Sequence, residues 1–281
     1  MLTLTAATAT PETVCNEMMH GGGAVKVTGL FTDAQIAEAR AIILEDSNRN
    51  DQKVTHFQGA AAEDGTVNLQ RRVWNLLAKG EVFSDMAAHP VIMAVLRRWL
   101  GTEFIMGSIA ANRILPGGPG QEPHVDYPYW DLYNAETHPM GLNASFPMNG
   151  QVTIVLDPFT EESGATAYAP GTQKELRYPT ELEQKSFYDT CARMVAEPGD
   201  TVIFFGAAWH CAMPNRANHD RNAVLINYLP KWVKPLEDMT NAMPPGFIEA
   251  ANDDVRQLLG LNYPYPEILD QAEAVNAEGR K

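Results

Sequence analysis

Cysteine is scarce in this sequence of 281 residues. Cys15, Cys191 and Cys211 are widely spaced, odd in number and form no Cys-x-x-Cys pair. This scarcity argues against a disulfide framework and against a zinc site built from thiolates. It favours a reducing compartment, and we therefore expect a cytoplasmic protein.

Long apolar runs are missing as well. No stretch of about 18 apolar residues occurs, so the sequence predicts no transmembrane helix and no membrane partner. Residues 1–19 lack the basic and then apolar segments of a secretory signal. Basic residues are also in the minority, since 21 Lys and Arg face 35 Asp and Glu, and this balance argues against a nucleic-acid partner. The expectation is a soluble globular protein.

Two helices are predicted before residue 103. Residues 24–30 alternate as a strand does, and Thr32 with Gln35 then forms a capping box for a helix over 33–45. The polar stretch 46–68 is interpreted as a loop. Residues 82–100 predict a second helix, broken near His89-Pro90.

Short apolar or alternating segments follow, bounded by Gly, Pro or Asp, at residues 104–115, 151–157, 201–205 and 223–229. Several short strands with long connections favour a jelly roll over alternating βαβ units. The predicted fold is mainly β with flanking helices, and residues 1–281 form a single domain. Helices at about 30–100 pack on a β core at about 103–232, and a helical tail (247–260 and 265–278) follows.

A metal site is indicated by Pro123-His124-Val125-Asp126. In an extended strand, residues i and i+2 project to the same face, so an imidazole and a carboxylate can reach one ion. The pair is weak evidence by itself. A turn and an apolar strand over residues 197–210 add His210, and two histidines with one carboxylate leave coordination positions open, as in oxygen-activating iron(II) sites.

Arg221 lies eleven residues after His210 and opens the next strand. A guanidinium can grip the carboxylate of a cosubstrate with two hydrogen bonds. Zinc held by the same ligands would favour hydrolysis, with Glu161 and Glu162 the nearest acidic candidates for a general base. Another alternative is a jelly-roll metal-binding protein without oxygenase activity, such as a sensor or a cupin-like isomerase.

These residues, together with the segments around them, resemble the phytanoyl-CoA dioxygenase-like family of 2-oxoglutarate-dependent oxygenases. The resemblance covers residues from about 22 to 232 and is carried by GGGAVKVTGLFTDAQIAEAR, FSDMAAHPVIMAVLRRWLG, ILPGGPGQEPHVDYPYW, VLDPFTEESGATAYAPGTQK and EPGDTVIFFGAAWHCAMPNRANHDR. The ordered set is far more specific than any single segment.

The resemblance implies a double-stranded β-helix (a jelly-roll, cupin-like core), iron(II), O2 and 2-oxoglutarate. His124, Asp126 and His210 would be the metal ligands and catalytic centre, and Arg221 would bind the distal carboxylate of 2-oxoglutarate. Because related halogenases lack the carboxylate ligand, Asp126 favours hydroxylation or another oxidation of an unactivated C–H bond, with release of succinate and CO2.

Further contacts to 2-oxoglutarate are expected from Gln121, Gln151, Thr153 and Asn112. The run around Thr153 departs from the family, which often has a tryptophan nearby, so a core role for Gln151 and Thr153 stays open. Asn112 and Arg113 are adjacent in a strand, so at most one of them faces the cavity.

The substrate is expected to be a small molecule. Wall residues are predicted among the aromatic side chains after the metal motif (Tyr127, Tyr129, Trp130 and Tyr133) and in the segment that contains Arg71, Arg72 and Trp74. A basic pair in a chain with a net charge of −14 indicates an anionic group on that substrate. A monomer or a homodimer is expected.

Overall fold

The computed structural model describes residues 1–49, 68–129 and 145–262. Its main element is a seven-stranded sheet with the order β1-β2-β8-β5-β10-β4-β3. These strands are β1 Leu2–Thr5, β2 Ala24–Thr28, β3 Gln70–Val73, β4 Phe104–Ile114, β5 Gly150–Val155, β8 Thr201–Phe204 and β10 Arg221–Pro230. A three-stranded sheet, with the order β7-β6-β9, contains β6 Ala167–Tyr168, β7 Ala192–Arg193 and β9 His210–Cys211.

Helices flank the two sheets. They are α1 Pro11–His20, α2 Asp33–Arg49, α3 Glu81–Ala87, α4 Pro90–Leu100, α5 Glu181–Thr190, α6 Met239–Ala242, α7 Phe247–Ala250 and α8 Asp253–Leu258. The largest cluster of buried apolar side chains draws on α1 to α4 and on the large sheet together. The mainly β architecture with flanking helices is therefore confirmed. Within the ranges given above, no helix is both long and apolar enough to span a bilayer.

The strand β10 lies between β5 and β4 in the large sheet and is antiparallel to both. Its alternate residues Arg221, Ala223, Leu225 and Asn227 line a cavity between the two sheets. The register with β4 shifts next to Asn227, because Gly107 is an extra residue in that strand. Such a bulge leaves one backbone group outside the ladder, and the Gly107 carbonyl accepts hydrogen bonds from a later segment.

The predicted helices occur with small corrections. The capping box of α2 is present, since Thr32 and Gln35 exchange side-chain and backbone hydrogen bonds. The predicted break at His89-Pro90 separates α3 from α4. The predicted start of the loop over 46–68 is too early, because α2 continues to Arg49. Residues 50–67 lie outside the described ranges. The tail 247–260 is two short helices, and 265–278 is likewise outside.

Several elements escaped prediction. The helices α1 and α5 were not predicted, and α5 has a weakly amphipathic sequence that buries only Phe187. The strands β6, β7 and β9 have two residues each, too few for any alternation to be visible. These short strands nevertheless build the sheet that carries His210.

The start of β10 is fixed by the buried carboxylate of Asp157. It accepts a 2.6 Å hydrogen bond from Arg40 Nε and a 3.1 Å bond from the backbone N–H of Asn222, whose side chain also donates to it. Asn222 is fully buried and follows Arg221 directly. Asp157 therefore connects α2 to the residue that places Arg221.

The substitution Asp157→Ala is expected to destabilise the fold by about 2 kcal/mol, because it leaves buried donors of Asn222 without an acceptor. Chemical denaturation would measure the change. The matched control is Glu45→Ala, which breaks an ion pair with Arg49 on the exposed face of α2 and should cost roughly 0.5 kcal/mol or less. Equal effects of the two substitutions would contradict the role given to Asp157.

Candidate metal centre

Backbone hydrogen bonds place His124, Asp126 and His210 beside one another. His124 and His210 form an antiparallel bridge in which each N–H donates to the other's carbonyl at 3.0 Å. The N–H of Asp126 donates to the Gly206 carbonyl at 2.8 Å. Because residues 124 and 126 sit two apart on an extended segment, both side chains project toward His210.

The two imidazoles are oriented in the same way. Each Nδ1 lies 2.8 Å from the carbonyl oxygen two residues earlier, that of Glu122 for His124 and that of Ala208 for His210. A carbonyl only accepts, so Nδ1 carries a hydrogen, and Nε2 is the nitrogen that can bind a metal ion. These Nε2 atoms lie 3.8 Å and 3.2 Å from the carboxylate oxygens of Asp126.

The electrostatics of the three groups are coupled. Burial, and then the neighbouring His210, lower the pKa of His124 to about 4. Burial raises the pKa of Asp126, but the two histidines outweigh it and hold that pKa below its usual value. Burial lowers the pKa of His210, but Asp126 outweighs it and the net shift is upward. A carboxylate held ionised beside a neutral imidazole is suited to receive a cation.

The donor set fits a divalent metal ion. One ligand atom from each residue lies within 4.8 Å of the other two. The side chain of His210 is only 8% exposed, whereas His124 and Asp126 are 26% and 31% exposed. Two imidazoles and one carboxylate suit iron(II) or zinc and leave positions for further ligands.

Arg221 faces the same cavity and is 3% exposed. Its Nη1 donates to the Gly164 carbonyl, its guanidinium lies 4.7 Å from the centre of the Phe159 ring, and its buried Nε has no hydrogen-bond partner among the described residues. Among the described residues, Arg221 forms no ion pair with a carboxylate. Burial, and then Arg193 and Arg72, lower its pKa to about 9, so it stays charged at neutral pH. A buried cation surrounded in this way is suited to an anionic ligand.

The cavity has a volume of about 360 Å³. Most of the residues predicted from the sequence reach it: His124, Asp126, His210, Arg221, Gln121, Gln151, Thr153, Asn112, Arg72, Trp74, Tyr127 and Tyr129. Gln151 and Thr153 come from β5, and Asn112 comes from β4, on the other side of β10. Of the adjacent pair, Asn112 faces the cavity and Arg113 bonds to Asp220, Ser47 and Asn48 on the other side.

Some predicted residues lie elsewhere. The prediction for Arg71 is wrong in its placement, because neighbours on β3 point to opposite faces and Arg71 donates instead to the carbonyls of Asn68 and Ser47. Glu161 and Glu162 do not line the cavity, which removes the general base considered for a zinc hydrolase. Trp130 and Tyr133 lie outside the described residues.

Other cavity residues were missed by the sequence analysis. Ser108 and Ala110 could have been found, because they alternate with Asn112 on β4. The same alternation from Arg221 finds Leu225 and Asn227 on β10. Tyr178 and Leu236 come from irregular segments far along the chain, where no periodicity indicates a direction.

Comparisons with known proteins identify the class. The sequence model of the phytanoyl-CoA dioxygenase (PhyH) family matches residues 19–223, and this chain belongs to that family.

Two curated relatives are named dioxygenases. Dioxygenase af480 of Aspergillus fumigatus is 21% identical over 248 residues, which are 86% of this chain and 74% of that protein. Dioxygenase cdmD of Talaromyces verruculosus is 27% identical over 191 residues, which are 66% of this chain and 60% of that protein. This chain is therefore an oxygenase of the dioxygenase type.

Two solved structures share the fold. The non-haem α-ketoglutarate-dependent epimerase SnoN from nogalamycin biosynthesis aligns with a TM-score of 0.58 at 16% identity, covering 79% of this chain and 81% of SnoN. EvdMO1 aligns with a TM-score of 0.57 at 17% identity, covering 78% of this chain and 50% of EvdMO1. The predicted fold class, mainly β with flanking helices, is confirmed, and a jelly-roll core is consistent with both neighbours.

Proposed function

We propose that this chain is an iron(II)- and 2-oxoglutarate-dependent dioxygenase that oxidises an unactivated C–H bond of a small molecule, most simply by hydroxylation. The observation that carries the proposal is the placement of Arg221, a buried cation without an acidic partner in the described chain, in the cavity that contains the His124, Asp126 and His210 side chains. A metal-binding protein that uses no carboxylate cosubstrate has no need for such a residue.

The metal would be held by Nε2 of His124, Nε2 of His210 and the carboxylate of Asp126. Iron(II) in this position, with 2-oxoglutarate and O2 as cosubstrates, supplies the oxidising power, and succinate and CO2 are released. Asp126 favours oxidation over halogenation, because a carboxylate occupies the place that a halide would need.

Arg221 would bind the distal carboxylate of 2-oxoglutarate through its planar fork of N–H donors. The amides of Asn112 and Gln151 and the hydroxyl of Thr153 face the same space and can orient the cosubstrate by hydrogen bonds. The Gln121 side chain already has one hydrogen-bond partner, since its Oε1 accepts from the Ala212 N–H at 3.2 Å. Together these residues would orient the cosubstrate beside the metal.

Arg72 supports an anionic group on the substrate. It reaches the cavity from the edge strand β3, whereas β5 lies on the other side of β10. Burial lowers its pKa to about 10, while the carboxylates of Asp126 and Glu237 act in the other direction. The apolar face of Trp74 lies 6.0 Å from its guanidinium. We further propose a single domain that acts in the cytoplasm as a monomer or homodimer.

Anaerobic titration tests the proposal directly. Adding iron(II) and then 2-oxoglutarate to the metal-free protein should produce the visible charge-transfer band of a keto acid chelating iron(II). Succinate should replace 2-oxoglutarate on admission of O2. A folded protein that binds iron(II) yet shows no band would overturn the assignment, and zinc(II) in place of iron(II) serves as the colourless control.

A further inference from the structure

The segment that follows β10, residues 231–238, crosses one end of the cavity. The N–H groups of Leu236 and Glu237 donate to the Gly107 carbonyl at the bulge of β4, at 2.8 Å and 3.3 Å. The hydroxyl of Tyr127, the residue after Asp126, donates to the Lys234 carbonyl at 2.6 Å. This segment, called here the end wall, is thus attached both to the large sheet and to the loop that carries a metal ligand.

The carboxylate of Glu237 attaches the end wall to the rest of the protein by hydrogen bonds. Its Oε1 accepts the N–H of Ile109 at 2.8 Å, and its Oε2 accepts the N–H of Asn75 at 2.9 Å. Burial raises the pKa of this carboxyl group. Because both oxygens bind backbone donors from separate strands or turns, the position of Leu236 next to it is fixed.

Large apolar side chains converge on this end of the cavity. Leu236 and Tyr129 are 47% and 46% exposed, and both line the cavity together with Trp74. Tyr129 packs against Tyr127, which bonds to the end wall. Trp74 precedes Asn75, which donates to Glu237. The three side chains come from different parts of the chain. Isolated exposed apolar residues are common on protein surfaces, whereas a group of them around one cavity marks a binding surface.

The apolar end lies away from Arg221. Gly107, which binds the end wall, precedes Ser108, and Ser108 pairs with Asn227 across the sheet. Asn227 also donates to the Tyr127 carbonyl. Arg221 and Asn227 are six residues apart on one strand, which separates them by about 20 Å. A cosubstrate bound at Arg221 therefore leaves the apolar end free for another ligand.

We propose that the end wall determines substrate specificity: Leu236, with Trp74 and Tyr129, binds an apolar part of the substrate, and Glu237 is the positioning residue that holds Leu236 there. The inference deepens the proposed function, because it takes the other end of the cavity to be occupied by 2-oxoglutarate. The ligand class is an organic molecule with an uncharged hydrocarbon portion.

A homologous series of straight-chain alcohols, from butanol to decanol, tests the proposal. Anaerobic calorimetry would measure their binding to the full chain, both loaded with iron(II) and 2-oxoglutarate and unloaded. Affinity should rise about fourfold for each added methylene until the apolar end is filled. No dependence on chain length in the unloaded wild-type protein would overturn the proposal.

Variants distinguish alcohol binding at the end wall from nonspecific apolar binding elsewhere on the protein. Leu236→Asp should lower octanol affinity by roughly tenfold or more and flatten the dependence of affinity on chain length. Leu236→Met should retain both the affinity and that dependence. Glu237→Gln should weaken octanol binding by less than Leu236→Asp does, with the fold intact. The matched control is Leu182→Asp on α5, a leucine that is 76% exposed and does not line the cavity, and it should change nothing.

Equal losses from Leu236→Asp and Leu182→Asp, or an unchanged slope in Leu236→Asp, would refute the end-wall assignment. The two proposals fail separately. Absence of the charge-transfer band in the loaded protein counts against the oxygenase chemistry alone, since the chain-length series in the unloaded protein reports only on the apolar end.

Discussion

Replacing His124 by alanine is expected to abolish iron(II) binding and turnover. The side chain supplies one of three ligand atoms that lie within 4.8 Å of one another, and no other described His, Cys, Asp or Glu joins this group. Loss of outer contacts to a metal site costs roughly ten- to a hundredfold in affinity, so loss of a direct ligand should cost more. Anaerobic iron(II) titration of the variant measures the effect.

The fold should tolerate the same change. The His124 side chain is 26% exposed, and the bridge to His210 uses backbone atoms that alanine keeps. His20→Ala, at the exposed end of α1, is the matched histidine control and should bind iron(II) as the wild type does. Unimpaired iron(II) binding by His124→Ala would place the metal elsewhere.

Substitution of Arg221 by alanine should raise the 2-oxoglutarate requirement by about a hundredfold, with iron(II) affinity little changed. Removing one partner of a buried charge pair costs about 3 kcal/mol, which corresponds to that factor. In the protein without cosubstrate the guanidinium has no acidic partner in the described chain, so its loss removes an unpaired buried charge and should not unfold the protein.

Arg221→Lys distinguishes the effect of the positive charge from the effect of the planar guanidinium. Lysine keeps the positive charge but lacks the planar fork, so an intermediate requirement for 2-oxoglutarate is expected. Arg216→Ala, an exposed arginine five residues earlier, is the control. The comparison uses the 2-oxoglutarate dependence of the charge-transfer band and of succinate formation. An unchanged dependence in Arg221→Ala would remove Arg221 from the cosubstrate site.

The strands that hold the candidate site could be predicted in large part. The runs 104–115, 151–157, 201–205 and 223–229 all contain strands of the large sheet, because apolar residues between Gly, Pro and Asp leave few alternatives to a buried strand. The alternation within them also predicted that only one of Asn112 and Arg113 would face the cavity. The same rule, applied to Arg71 and Arg72, would have shown that at most one of them faces the cavity.

The sequence by itself determined the metal ligands as a set of candidates and Arg221 as their companion, since spacing along strands is a local property. Only the tertiary structure decided which end of the cavity is apolar. Leu236 lies in an irregular segment whose direction depends on distant partners: the Gly107 carbonyl, which binds Leu236 and Glu237, and the Asn75 N–H, which binds Glu237. Hydrogen bonds between residues more than a hundred positions apart leave no periodic trace in the sequence, so the end wall appears only when the chain is folded.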